Sequence, residues 1–143
     1  MNTTLRIFLA LAAAALASCS TIAPVKVTAG DQCFQCRRII QDERLAGEVV
    51  GGGGFVAKFR APGCMAKYLA AHPEENGTVF VTDYASGRMV RPDAAFFVPV
   101  LLDRNTGERD YRAYRDRAAA DAAATEAQSA PVDWRTVIEK ARS

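Results

Sequence analysis

Four consecutive glycines, Gly51, Gly52, Gly53 and Gly54, separate two apolar, β-prone segments, residues 45–50 and 55–59. Glycine reaches positive φ at no steric cost, so this run predicts a reversing turn and an antiparallel hairpin. A phosphate-cradling loop would require a helix start directly after the glycines and a Lys-Ser/Thr pair, and Phe55-Val56-Ala57-Lys58-Phe59 supplies neither.

The rest of the chain falls into place around that hairpin. Upstream, Arg37-Arg38-Ile39-Ile40, a polar turn at 41–44 and the segment 45–50 predict a first hairpin. Downstream, Pro62 suits the first turn of a helix over 63–72 that Pro73 ends. Residues 78–84 are β-branched and aromatic and predict a strand, followed by a turn at Ser86-Gly87 and extended pieces at 89–90 and 95–102. Pro99 places the last of these at a sheet edge or a bend. After a loop at Asn105-Thr106-Gly107, residues 110–128 predict one long alanine-rich helix, with Tyr111 and Tyr114 on its thin apolar side. Residues 132–134 offer a short strand and 135–142 a final helical turn or two. Strand, strand, helix, strand thus occurs twice, which predicts an α+β fold of two small ββαβ units in one compact domain.

The first residues address the chain. Arg6 precedes an apolar run at 7–16 that is too short to span a bilayer, which is the pattern of a secretory signal. The run closes on Leu16-Ala17-Ser18-Cys19, which resembles the bacterial lipobox. That resemblance implies removal of residues 1–18, lipidation of Cys19, a lipid-anchored tether over 19–30 and a folded domain over 31–143. An ordinary secreted protein cut nearby is the alternative. Several acyl chains, at about 0.8 kcal/mol per buried methylene, anchor far more firmly than one. The implied location is the extracytoplasmic, periplasm-facing side of a bacterial membrane, and the absence of an acid at Ser20 leans toward the outer membrane. Removing Arg6 with the signal leaves 17 basic residues of 18 against 16 acidic ones, so no basic field for nucleic acid exists.

In that compartment thiols oxidise unless protected. Of the four cysteines, lipidation takes one and leaves Cys33, Cys36 and Cys64, an odd number, so at least one thiol lies outside any disulfide. Cys33-Phe34-Gln35-Cys36 is the densest reactive stretch; two thiols so spaced clasp a soft metal, close a small disulfide or exchange electrons. The positive charge of Arg37 and Arg38 next to Cys36 predicts a stabilised thiolate, which favours metal capture and disulfide exchange alike.

Taken together, these pieces resemble the NosL family, lipoproteins that accompany nitrous-oxide reductase and handle copper for its assembly. The resemblance rests on Cys19, Cys33 and Cys36, Gly63-Cys64-Met65 followed by Tyr68-Leu69, Val81-Thr82-Asp83-Tyr84, Arg88-Met89-Val90, Asp93 to Val98, and Arg115-Asp116 through Val132-Asp133-Trp134. It implies a two-unit ββαβ fold, a membrane anchor, bound copper(I), a copper-receiving partner and no catalysed reaction. The chain departs from the family at Arg37 and Arg38, where Gly-Met is usual, and in lacking methionine at 105–109.

Copper(I) prefers thiolate and thioether sulfur and also accepts imidazole. The chain offers Cys33, Cys36, Cys64, Met65, Met89 and His72. On a helix Cys64 and Met65 point about 100° apart, and His72, eight positions beyond Cys64, stands about 12 Å along the axis. The expected metal ligands are therefore Cys33 and Cys36 as the primary pair with one of Cys64 or Met65, and His72 as a weaker candidate or a ligand in a partner complex. Core packing is the competing role for Cys64, Met65 and Met89, and a helix-end position for His72. Two other functions stay open: a thiol–disulfide oxidoreductase using Cys33 and Cys36, and an interaction lipoprotein with a degenerate metal site.

Overall fold

The tetraglycine turn closes the central hairpin of the fold. In the computed structural model, which describes residues 21–143, β1 (Gly47–Val50) pairs antiparallel with β2 (Val56–Phe59), and Gly53 (φ 65°) and Gly54 (φ 83°) take the left-handed conformation between them. The signal segment and Cys19 lie outside the described residues. Helix α1 (Pro62–Ala71) follows, and β3 (Thr78–Thr82) returns antiparallel to the other side of β1. A short β4 (Met89–Val90) completes a sheet of order β2-β1-β3-β4.

The second unit repeats the plan in reduced form. Strand β5 (Phe96–Asp103) pairs with β6 (Glu108–Tyr114), helix α2 (Arg117–Glu126) follows, and Val132 returns to β5 through one antiparallel bridge to Phe97. In both units the first strand is central. Val132 meets β5 only at Phe97, whose N–H it accepts; Pro99, two residues on, turns its missing N–H to that same side beyond the bridge, where no ladder bond is lost. The units join where Asp83 bridges Ala113 in parallel and Tyr84 N–H donates to the Ala113 carbonyl (2.7 Å). Helix α3 (Trp134–Ala141) packs against α1, with Trp134 stacked on Phe97 and Val137 buried in the core of Val49, Phe59, Met65 and Val81. Among the described residues no helix is long and apolar enough to cross a membrane.

Three expectations need correction. The long helix over 110–128 is instead strand β6 and the shorter α2. Gly107 (φ 72°) closes a hairpin, Phe96 and Pro99 take Tyr114 and Tyr111 as cross-strand partners, and the helix starts only at Asp116, whose side chain accepts from Ala119 N–H. The first hairpin pairs differently too. Ile39 bridges Gln32 and not the 45–50 segment, so the chain folds back on itself over residues 30–40. The stretch from Val25 onward, expected as free tether, lies against the domain: Val25 N–H donates to Glu48, Val27 is buried and Ala29 N–H donates to Glu43.

Candidate metal centre

The CxxC stretch occupies the tip of the reversal at 30–40. Cys33 N–H donates to the Arg38 carbonyl (2.9 Å) and Arg37 N–H to the Cys33 carbonyl (2.9 Å), which closes a tight turn around Cys33 and Cys36. Phe34 N–H reaches the Lys58 carbonyl (2.7 Å) and fastens this tip to the edge of β2. The turn requires φ +63° at Arg37, a conformation natural to glycine. The two cysteines differ in exposure: Cys33 is fully buried and Cys36 is exposed.

The third thiol comes from the first turn of α1. Ala61 is extended, Pro62 pre-sets the helical φ, and Gly63 N–H donates to the Asp110 carboxylate of β6 (2.7 Å). A Cβ at position 63 would lie 2.7 Å from an Asp110 carboxylate oxygen, so a larger residue there would have to displace the Asp110 side chain. The Asp110 carboxylate therefore sits at the positive end of the helix that carries Cys64.

The sulfurs of Cys33, Cys36 and Cys64 all lie within 4.8 Å of one another. Among the described residues this is the only group of three or more His, Cys, Asp or Glu side chains so disposed. All three are free thiols. The Cys33 thiol is held well below its ordinary value by S–H donation from Cys64, helped by the backbone N–H groups of Cys36 and Arg60, although burial opposes its ionisation. Cys64, the donor in that bond, is pushed upward. The two shifts run in opposite directions, so the pair favours charge on Cys33 over Cys64, and metal binding displaces the protons that remain.

Arg37 and Arg38, expected to act on the Cys36 thiolate, are engaged elsewhere. The Arg37 guanidinium stands 5.3 Å above the Phe34 ring, and Arg38 pairs with Glu108 (3.1 Å). The cation electrostatically linked to the thiols is Arg60, raised by its hydrogen bond to Glu108 and further by Cys64 and Cys36. Neither Arg60 nor Asp110 stood out in the sequence. Arg60 is one charge at a strand end, and Asp110 fell inside the expected helix.

The remaining candidate ligands stand differently. Met65 is fully buried, with its thioether against β1: a Cβ on Gly47 would lie 3.1 Å from its sulfur. His72 caps the far end of α1, stacks on Tyr68 (4.6 Å) and contacts Glu74 (3.1 Å), outside the thiol group. Met89 packs on Val27, Ile40 and Ala46. The three cysteines are therefore a set of soft donors that can hold one metal ion. Comparison with protein-family models, curated proteins and solved structures finds no match for this chain.

Proposed function

We propose that this protein is a lipid-anchored, extracytoplasmic copper(I)-binding accessory protein that carries the ion as cargo and passes it to a partner without catalysing a reaction. The observation that carries this reading is the convergence of three thiols, two buried and one exposed, with no His, Asp or Glu ligand atom joining the group among the described residues. Structural zinc is almost always four-coordinate, whereas an all-sulfur set of three suits the softer copper(I). The exposed Cys36 supports delivery, because a partner's sulfur can displace an exposed ligand first while Cys33 and Cys64 still hold the ion. The sequence Leu16-Ala17-Ser18-Cys19 supports the anchor. By the resemblance to the NosL family, the recipient is the nitrous-oxide reductase maturation system.

The test is an anaerobic titration of the reduced protein, carrying Cys19→Ser to remove the point of lipid attachment, with Cu(I) against a competing chelator. One ion per chain is expected, with affinity lost in Cys33→Ser/Cys36→Ser. Retained affinity in that variant would sink the site, and no binding at all would sink the function.

The low-lying Cys33 thiol also fits a thiol–disulfide oxidoreductase. The thiol so activated is fully buried, however, whereas an exchanging thiolate must reach a substrate disulfide. Insulin-reductase activity together with a reduction potential near that of cellular redox carriers would favour this second function; an inert pair excludes it. Adjacency of Cys64 to the pair argues against a degenerate site.

A further inference from the structure

A groove of about 750 Å³ runs along the face of the molecule where the cysteine turn meets the end of the β5–β6 hairpin. Five arginines line it, Arg37, Arg38, Arg60, Arg104 and Arg112, against three acids, Asp42, Asp103 and Glu108. The acids are already committed. Glu108 is shared by Arg38 and Arg60, Asp42 pairs with Arg44 outside the groove, and Asp103 accepts from Asn105 N–H and Thr106 N–H. Among the described residues Arg37, Arg104 and Arg112 have no carboxylate partner, and the Arg112 Nε is buried without any hydrogen bond.

We infer that this groove is the docking surface for an acidic segment of the protein that exchanges metal with the cysteine triad. The inference rests on the metal-delivery reading above. Its location follows from the chain: Arg37 and Arg38 directly succeed Cys36, the exposed thiol, and Arg60 lies four residues before Cys64. A segment seated in the groove therefore ends beside the sulfur through which an ion would leave. The arginines come from the cysteine turn, the end of β2 and the β5–β6 hairpin, and Ile39, Leu45 and Leu102 line the groove with them. A single phosphate needs donors converging on one point, whereas spaced cations separated by apolar side chains suit a peptide bearing carboxylates and apolar residues in turn. Guanidinium groups without a carboxylate partner at such a mouth also steer an oppositely charged partner toward it.

The probe is a fluorescein-labelled acidic peptide of alternating glutamate, leucine and glycine, followed by anisotropy on the full reduced, metal-free protein. The measurement is repeated in a Cys33→Ser/Cys36→Ser/Cys64→Ser chain, so that loss of metal binding and loss of docking are read separately. Expected are binding that weakens with added salt, persistence in the chain without the triad, and at least a tenfold loss in Arg37→Glu/Arg104→Glu. Both of those side chains are exposed, so the fold is not at stake. Arg135→Glu/Lys140→Glu on α3 should leave binding unchanged. No binding, an equal loss in the α3 variant, or displacement of the peptide by inorganic phosphate at matched ionic strength would overturn the inference, the last by making the groove a small-anion site.

Discussion

Replacing Cys36 by serine separates ligation from folding more cleanly than any other change in the triad. Cys36 is exposed at the tip of the cysteine turn, and its thiol is not part of the packed interior. In the metal-free, reduced state Cys36→Ser should therefore lie within about 0.5 kcal/mol of the parent, as surface substitutions do. The loaded state behaves differently. A ligand that binds only the native chain at a hundred times its Kd stabilises it by about 2.7 kcal/mol. Losing even the orienting partner of a ligand weakens metal binding roughly 10–100-fold, so loss of a ligand itself should reach the upper figure. At the same free metal concentration the stabilisation then falls to about 0.4 kcal/mol. Urea denaturation of parent and variant, with and without buffered Cu(I) under anaerobic reduction, gives all four free energies. A variant that keeps the full metal-induced gain would refute ligation by Cys36. A variant more than about 1 kcal/mol weaker without metal would show that the exposed thiol is structural instead.

The other candidate sulfur and nitrogen can be tested in the same assay: Met65→Leu should cost under about 1.5 kcal/mol and Met65→Ala about 2–5 kcal/mol, while Met65→Leu and His72→Ala leave Cu(I) affinity unchanged, and a tenfold loss in either would restore that residue as a ligand. At position 37, where φ is +63°, glycine should be more stable than alanine by about 1 kcal/mol, the reverse of the usual order, and alanine equal to or better than glycine in denaturant midpoint would show that the backbone there is unstrained. Glu48 is fully buried on β1; Val25 N–H donates to one oxygen (2.6 Å) and the other has no partner. Burial raises its carboxyl above the ordinary 4.5, against the opposing Val25 N–H and Lys58 charge, so the folded state holds this proton longer than the unfolded one. The contribution is fully present below about pH 4.5 and lost as pH rises through the folded value. Glu48→Gln should therefore match the parent at pH 4 and exceed it near neutrality, by about 1.4 kcal/mol for each tenfold by which folding tightens proton binding; a gap independent of pH removes Glu48 as its source.

What the sequence disclosed follows from the range of the forces involved. The glycine turn between β1 and β2 and the proline-bounded α1 are fixed by neighbours along the chain, and both are where the residues predict them. Strand β6 was hidden because it is fixed by β5: residues 108–114 run into the alanines of α2, and only the pairing of Tyr111 with Pro99 and Tyr114 with Phe96 distinguishes the two segments. The site divides the same way. Helical geometry alone shows that Cys64 and Met65 cannot both face one ion, but which of them turns inward depends on Gly47, distant in sequence. Having no side chain, Gly47 leaves a slot on β1 that the Met65 thioether fills, and the same rotation of α1 carries Cys64 to the cysteine turn. The two arginines after Cys36 then take on separate meanings. Arg37 occupies a glycine-like backbone position, so its cost falls on the turn and not on the thiols. Arg38 reaches the carboxylate that Arg60 also holds and stands on the groove wall as a cation. At this position the chain therefore contributes positive charge to the groove and no sulfur to the triad.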